Sequence, residues 1–596
     1  MVFHRFLWRK GTCVRRVSYV IGLALSPRWS RLAVDWRHPP GSRVFFQESL
    51  PMSRKYRIFA HHRLFELPRE SMRFPLYILI GIGLWLQPLA ARAQYAWQED
   101  ASQEPKRLDH GLRYRLETQA SFSHDRTPLW LNANKYGLSS LEKANGYLRA
   151  AVERPLAMDS AHRWGIGYGV DLVAPLHYTS DVIVQQAFAE VRWLHGVLSV
   201  GSKEYPMELK NARLSSGSQA LGINASPVPQ VRLALPEYWT IPALGRWLHL
   251  KGHIAYGIMT DQRWQWEFTR GGQDKYANRV LYHSKAGYLK IGSEERFCPW
   301  SLELGLEMGT QFGGDAYGPV GEDGQPTWHI KGDKGISAFW RAFVPGGGDP
   351  GEGLYENVAG NQVGSWVARL NYDGDLFGAH LYADHYFDDH SQMFFMDYDG
   401  YGEGEEWNEK KHRRFVLYDL KDIMLGLELN FHNGTWLRDV VVEYLHTKYQ
   451  SGPIYHDRTP TMSDHIAGRD DYYNHYIYPG WQHWGQVMGN PLYRSSIYNT
   501  NGSLYLENTR FVAYHLGFDG QPADRLSYRA LFTYQEGWGT YKRPYTKKHH
   551  NVSILVEGNY HLPRGWRLKA GYGMDFGHIL GSNAGFQLTI TKSGAL

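Results

Sequence analysis

The chain has 596 residues, 15% of them aromatic, a formal charge of +6 and only two cysteines, Cys13 and Cys298. Two cysteines exclude a disulfide-stapled scaffold and a cysteine-built zinc or iron–sulfur centre. A mean hydropathy of −0.47 excludes a bundle of membrane-spanning helices, which needs several runs of about 20 apolar residues. The 40 Tyr, 22 Trp and 63 Gly suit strands and aromatic-lined surfaces.

The positive charge is confined to the start of the chain. Residues 1–71 hold 14 Lys or Arg against 4 acidic residues, a net +10, so the remainder carries −4. A basic excess so placed does not describe a nucleic-acid face. Met72-Arg73, the apolar run Phe74 to Leu89 and the tripeptide Ala91-Arg92-Ala93 read as the n-region, h-region and cleavage site of a secretory signal peptide. Met72 is therefore read as the initiator and 1–71 as an upstream extension from a mis-set start; a basic presequence is the alternative. Cleavage after Ala93 leaves 503 of the 596 residues, a net charge of −6 and Cys298 as the one thiol. A single thiol suits an oxidising compartment, where no wrong disulfide can form within the chain. Residues 94–112 form a short N-terminal segment and 113–596 one further unit.

That unit alternates apolar and polar residues with period 2. Asp373-Gly374 between two such runs predicts a two-residue hairpin turn. Leu425, Leu427, Leu429 and Phe431 alternate with Gly426, Glu428 and Asn430. Leu526 to Tyr534 and Val552 to Leu562 repeat the pattern, a short turn follows at Pro563-Arg564-Gly565, and Trp566 to Phe576 and Phe586 to Ile590 continue it. About 18 strands are expected, most of roughly 9–12 residues, the length with which a tilted strand crosses a bilayer. Long loops are expected at 203–230, 313–362, 388–415 and 449–510.

A soluble sandwich and a membrane barrel share this periodicity. Three features favour the barrel: aromatic residues at strand ends (Tyr444, Tyr560, Trp566, Phe576), short turns alternating with long polar loops, and full charges (Glu557, Arg567, Lys569, Asp575) on the faces that would be a dry core. The expectation is an all-β, transmembrane antiparallel barrel with long extracellular loops. About 18 strands enclose more space than wall side chains fill, so the lumen is a channel or is plugged.

The segment 449–495 is the richest in polar and aromatic residues. Aromatic faces stack on pyranose rings while planar polar groups fix hydroxyls, so Tyr455, Asp457, Arg458, Tyr472, Tyr473, Trp481, His483 and Trp484 are the candidate polysaccharide-binding residues. Exposed barrel loops packing on one another use the same residue types. His456, Asp457, Asp464, His465, Asp470 and Asp471 could ligate a cation, but their spacing matches neither an EF-hand nor HExxH. Asp388, His390 and Ser391 suggest a hydrolase, yet neighbours on a strand point to opposite faces, and a polar rim cluster explains them. No GxSxG elbow occurs, and Gly346-Gly347-Gly348 lacks the Lys-Ser/Thr of a phosphate loop. No cofactor and no catalysis are expected.

Gln185-Gln186-Ala187-Phe188-Ala189-Glu190-Val191, a turn at His195-Gly196, Leu214-Ser215-Ser216-Gly217-Ser218 and Asn224 to Arg232 together resemble the Wzi family of capsule assembly proteins. His385 to Phe394 and Trp481 to Pro491 are similar to members from the Bacteroidetes branch. The likeness runs from about residue 113 to 592. It implies an 18-stranded outer-membrane barrel with a largely plugged lumen, a lectin-like monomer that binds capsular or other surface polysaccharide and retains it at the cell. Two departures stand out. Residues 94–112 are too few for the periplasmic helical bundle of the enterobacterial type, and the chain ends Ser593-Gly594-Ala595-Leu596 without a terminal aromatic, leaving Phe586 as the nearest anchor. The rival readings are a saccharide-admitting porin with an open lumen and an outer-membrane lipid or glycan hydrolase.

Overall fold

The computed structural model describes residues 111–596 apart from 159–162, 243, 293–297, 345–359, 389–421, 456–465 and 470. The expected extension, signal peptide, cleavage site and short N-terminal segment lie outside the described residues, save Gly111 and Leu112.

Alternation closes the sheet. The first nine strands are β1 (Arg113–Ser123), β2 (Ala144–Met158), β3 (Trp164–Leu176), β4 (Ile183–Trp193), β5 (Gly196–Ser202), β6 (Gln230–Thr240), β7 (Leu248–Ile258), β8 (Leu281–Ile291) and β9 (Trp300–Phe312). The second nine are β10 (Asn361–Asp373), β11 (Phe377–Asp388), β12 (Ile423–Phe431), β13 (Asp439–His446), β14 (Phe511–Ala523), β15 (Leu526–Gly539), β16 (Pro544–Leu562), β17 (Trp566–Gly577) and β18 (Asn583–Ala595). Each pairs antiparallel with its neighbours in sequence, and β1 pairs with both β2 and β18, from Arg113 opposite Ala595 to Ser123 opposite Gly585. The result is a closed 18-stranded barrel, in which no wall strand leaves an unpaired edge.

The two faces of the wall differ as the alternation requires. On β1, Leu116 and Phe122 are exposed on the outside while Gln119 and Ser121 are buried on the inside. On β17, Trp566, Leu568, Tyr572 and Phe576 face out and Asp575 faces in. Aromatic belts mark both rims. Trp164 meets Trp193 at 6.3 Å and Trp300 meets Tyr372 at 4.8 Å at the short-turn end; Tyr444 meets Tyr514 at 5.4 Å at the long-loop end. Phe586 also sits at the long-loop end, opposite Phe122 and Tyr572. It anchors the rim away from the chain terminus, so it does not stand in for a terminal aromatic.

The expected Asp373-Gly374 turn is instead a three-residue connection, Gly374 to Leu376, between β10 and β11. Gly374 does not take the positive φ that a type I′ turn demands. Among the described residues three short α-helices, Leu129–Asn132, Gln262–Phe268 and Ile336–Phe343, escaped the period-2 reading. One of them, Ile336–Phe343, lies on the outside of the wall. There Tyr256 donates a hydrogen bond to the Phe339 carbonyl (2.9 Å) and Lys285 donates to the Phe343 carbonyl. Lys285 pairs with Ile254 and Met308 in the outward register, so the helix gives a cation on the lipid side a partner. Ile336 and Trp340 are exposed on the helix.

The larger correction concerns loops. The sequence predicts 203–230 and 449–510 outside as long loops, but 203–229 and 471–509 fold into the lumen, joined by 124–143, and Gln230 begins β6. The inner wall explains why. Its carboxylates accept hydrogen bonds from the inserted backbone: Leu129 N to Asp575 (2.9 Å), Ser216 N to Glu443 (2.8 Å) and Gln219 N to Asp384 (3.0 Å). The inserted segments bond one another as well: Trp481 Nε1 donates to Ala220 O (2.9 Å) and Asn490 Nδ2 to Ser216 Oγ (3.0 Å). The main apolar core therefore lies inside the barrel, built from Trp130, Leu131, Leu214, Tyr386, Trp481 and Tyr493 among others.

Lys210 and Asp384 form the most deeply buried ion pair described, 2.8 Å apart with side chains 1% and 0% exposed. Removing one partner strands a charge, which costs about 3–5 kcal/mol, whereas replacing both with apolar groups is close to neutral. Asp384→Asn is expected to lower the temperature at which the compact folded band is lost on unboiled gels. Lys210→Met combined with Asp384→Asn, which keeps an oxygen for the Gln219 N–H, is expected to recover most of that loss. Equal loss in the single and double variants would contradict the pairing.

Candidate functional site

The candidate residues of 449–495 divide by where the plug carries them. Tyr472, Tyr473 and Trp481 are 0% exposed and His483 is 1% exposed. Tyr472 donates to Asp422 (3.1 Å), Tyr473 stacks on Tyr493 with centroids 4.0 Å apart, and Trp481 stacks on Tyr282 at 6.0 Å. These rings have no free face for a pyranose. They are the plug's core, and the correction follows from their partners: each polar atom is spent on the chain itself. Asp457 and Arg458 lie outside the described residues, as does the side chain of Tyr455, whose backbone ends a short strand, Ser451–Tyr455.

Trp484 differs. Gln482–His483 and Gln486–Val487 pair as a tiny hairpin whose two central residues, Trp484 (φ 53°) and Gly485 (φ 74°), both adopt the left-handed region. That is the backbone of a type I′ turn, costly for tryptophan and ordinary for glycine. The hairpin is held from below by Asp261, which accepts from Trp484 N (3.0 Å), and by His483, whose Nδ1 meets Ser226 O at 2.9 Å. The indole is left partly exposed, its Nε1 3.3 Å from Thr260 Oγ1.

The rim holds further aromatic surface that the period-2 reading missed. Helix Gln262–Phe268 begins at Asp261 and leaves Trp266 42% exposed; Tyr476 is 74% exposed. Beside them a three-stranded sheet of Tyr276–Asn278, Asp315–Tyr317 and His329–Lys331 stacks its rings in a row. Trp266 meets Tyr276 at 5.1 Å, Tyr276 meets Tyr317 at 4.9 Å, and Tyr317 meets His329 at 4.5 Å. The dense Trp and Tyr of 264–276 were the available signal.

Of the cation candidates, Asp471 is described and is engaged elsewhere. It accepts from Tyr505, Asn474 (3.0 Å) and Thr509 (3.3 Å), and burial pushes its carboxyl above the usual range despite those donors. His456, Asp464, His465 and Asp470 lie outside the described residues, as do His390 and Ser391. Asp388, their neighbour, is on the inward face of β11, opposite Val363, and 4% exposed. Among the described residues no cluster of three His, Cys, Asp or Glu is placed to hold a metal ion.

Comparison with known proteins adds the following. No sequence-family profile and no curated protein matches the chain. Among solved structures it is similar to Escherichia coli Wzi, described as a carbohydrate-binding β-barrel involved in group 1 capsule assembly, at 12% identity over 81% of this chain and 85% of that one, TM-score 0.47. It is similar to Pseudomonas aeruginosa OprD at 9% identity over 82% and 95%, TM-score 0.38, and to Acinetobacter baumannii OccAB4 at 10% over 83% and 100%, TM-score 0.39. Likenesses at this level do not choose a role for the chain.

Two predictions follow from the plug. Trp481→Ala removes an indole from a closed core and is expected to cost about 3–5 kcal/mol, read as earlier unfolding of the barrel. The second concerns pH. His475 Nδ1 accepts the backbone N–H of Ile477 and of Tyr478, both at 3.1 Å, which requires an unprotonated nitrogen. Burial, with the charges of Lys275 and Lys542, pushes the imidazole down to about 3. An unfolded histidine titrates near 6.5, so below that pH the unfolded loop binds a proton that the folded loop refuses. Stability of 471–478 is therefore present above pH 6.5 and lost as pH falls toward 3. Amide exchange at Ile477 and Tyr478, corrected for intrinsic rates, is expected to accelerate between pH 6.5 and 4, and a flat profile would contradict it.

Proposed function

We propose that the chain is a monomeric outer-membrane barrel that binds capsular or other surface polysaccharide at its long-loop rim and retains it at the cell, with no chemistry performed. The observation that carries this reading is the combination of a lumen filled by the chain's own segments with an aromatic rim left open above it. A filled lumen suits a tether better than a passage. Trp484, Trp266 and Tyr476 offer partly exposed faces, and flat rings beside polar side chains suit the alternating apolar and hydroxyl surfaces of sugars. The outward apolar wall with aromatic rims at both ends suits an exported protein seated in a bilayer, consistent with a cleavable signal peptide at 72–93. Asp457, Arg458 and Tyr455 remain part of the proposed surface.

The experiment is a deletion strain in which glycan is quantified on cells and in the medium. Total glycan is expected to stay constant while the cell-bound share falls. Complementation with a Trp484→Ala, Trp266→Ala double variant is expected to restore the barrel to the envelope but to weaken glycan binding by about tenfold, roughly 1.4 kcal/mol. Loss of glycan synthesis, or full retention by the double variant, would overturn the reading.

A further inference from the structure

Most buried cations on the described inner wall meet a carboxylate, and Arg232 does not. Lys203 meets Glu190 at 2.7 Å, Arg192 meets Glu237 at 2.7 Å, and Arg149 meets Asp171 at 2.6 Å. Arg232 stands on β6 in register with Ser199 and Ala255, on the lumenal face. Its guanidinium lies 4.0 Å from the centroid of the Tyr205 ring, and its Nε is buried without a hydrogen-bond partner. Among the described residues no carboxylate pairs with it. The nearby acids are committed: Glu208 to Lys251 (2.5 Å), and Glu307 to the hydroxyls of Tyr288 (2.9 Å) and Ser218 (3.0 Å).

Arg232 lines a cavity of about 110 Å³ together with Gln230, Tyr205, His253, Ser284 and the two committed acids, Glu208 and Glu307. Gln230 Oε1 is also buried without a partner. The volume admits several waters, and so a phosphate- or carboxylate-sized group. Lys203 and Glu208 at its margin keep partly exposed side chains, so the cavity is not sealed from water. A cation withdrawn from water without a counter-charge is costly, and an unsatisfied polar group in a native interior calls for a partner, an ordered water or a bound anion. Stacking on Tyr205 holds the guanidinium plane and leaves the edges of its fork free, the geometry that binds a carboxylate or phosphate with two parallel hydrogen bonds.

We propose that this cavity is a binding site for a small oxyanion, either free phosphate or the carboxylate of an acidic sugar, held by Arg232 with Gln230 as acceptor for a neighbouring hydroxyl. The site does not depend on the glycan-retaining reading of the rim, and either can fail alone.

The test is calorimetric titration of the detergent-purified full chain with inorganic phosphate and, separately, glucuronate, in chloride buffer at constant ionic strength. Saturable binding of one equivalent is expected; phosphate alone assigns the free anion, and glucuronate assigns the sugar carboxylate. Arg232→Gln is expected to weaken that binding at least tenfold, while Arg213→Gln, which removes an exposed cation elsewhere in the barrel, leaves it unchanged. A readout on the wild-type chain keeps the test independent of how the variant folds: phosphate or glucuronate is expected to slow phenylglyoxal modification of Arg232, measured by peptide mass. No saturable heat with either anion, equal affinity in Arg232→Gln, or an unprotected Arg232 would overturn the proposal.

Discussion

A sheet closed on itself in hydrocarbon has one side on which polarity can be spent, and the rest of this molecule is organised by that constraint. Eighteen strands put their apolar residues outward and leave a wide interior bearing Asp171, Glu190, Asp384, Glu443, Glu557 and Asp575. Wall cations satisfy some of these groups, as Arg529 does for Glu557 at 3.0 Å. The remainder are satisfied by backbone amides that the chain brings inside, and the cost of burying those amides is offset by the carboxylates they meet. Plug and wall thus stabilise each other. Without the inserted segments Asp384, Glu443 and Asp575 would lose the backbone donors they meet, and those amides would lose their acceptors.

Local physics was legible in the sequence to the extent that it is local. Period-2 alternation yields the strand faces: Tyr560, Trp566 and Phe576 outside, Glu557 and Asp575 inside. The Pro563-Arg564-Gly565 turn was readable from its Pro and Gly: Gly565 takes a positive φ (76°) freely, while Arg564 is held in the same region (60°) at a cost. The plug was not readable residue by residue. Tyr472, Tyr473, Trp481 and His483 have the composition of an exposed sugar-binding loop, and what buries them is contact with residues far away in the chain. Tyr473 reaches the Gln219 carbonyl, and Trp481 lies over Gly309, where any Cβ would collide with the indole. Such pairings carry no periodicity and no spacing, so composition alone could not separate an external loop from an internal one. Helix Ile336–Phe343 was missed for a related reason, being short and ordered by the outer wall it covers.

The segments that carry the family resemblance acquire a physical role in this setting. Gln185 donates to Tyr136 O (3.0 Å) and Glu204 (2.8 Å), Asn224 donates to Val487 O (3.0 Å), and Leu214 to Ser218 meets the Glu443 and Glu307 carboxylates. These residues fasten the inserted segments to the wall and to each other. Their chemistry is that of a lumen occupied by the chain's own segments. In the proposed role, recognition falls to the rim, where Trp484 is raised on a strained two-residue turn held by Asp261 and His483.

The claim on which this account turns is that the lumen is filled by the chain itself, and the most direct measurement is single-channel recording of the purified protein in a planar bilayer. The account predicts insertion without steady conductance in the wild-type chain, and conductance on deletion of residues 471–509. Steady conductance of nanosiemens order in the wild-type chain would contradict it.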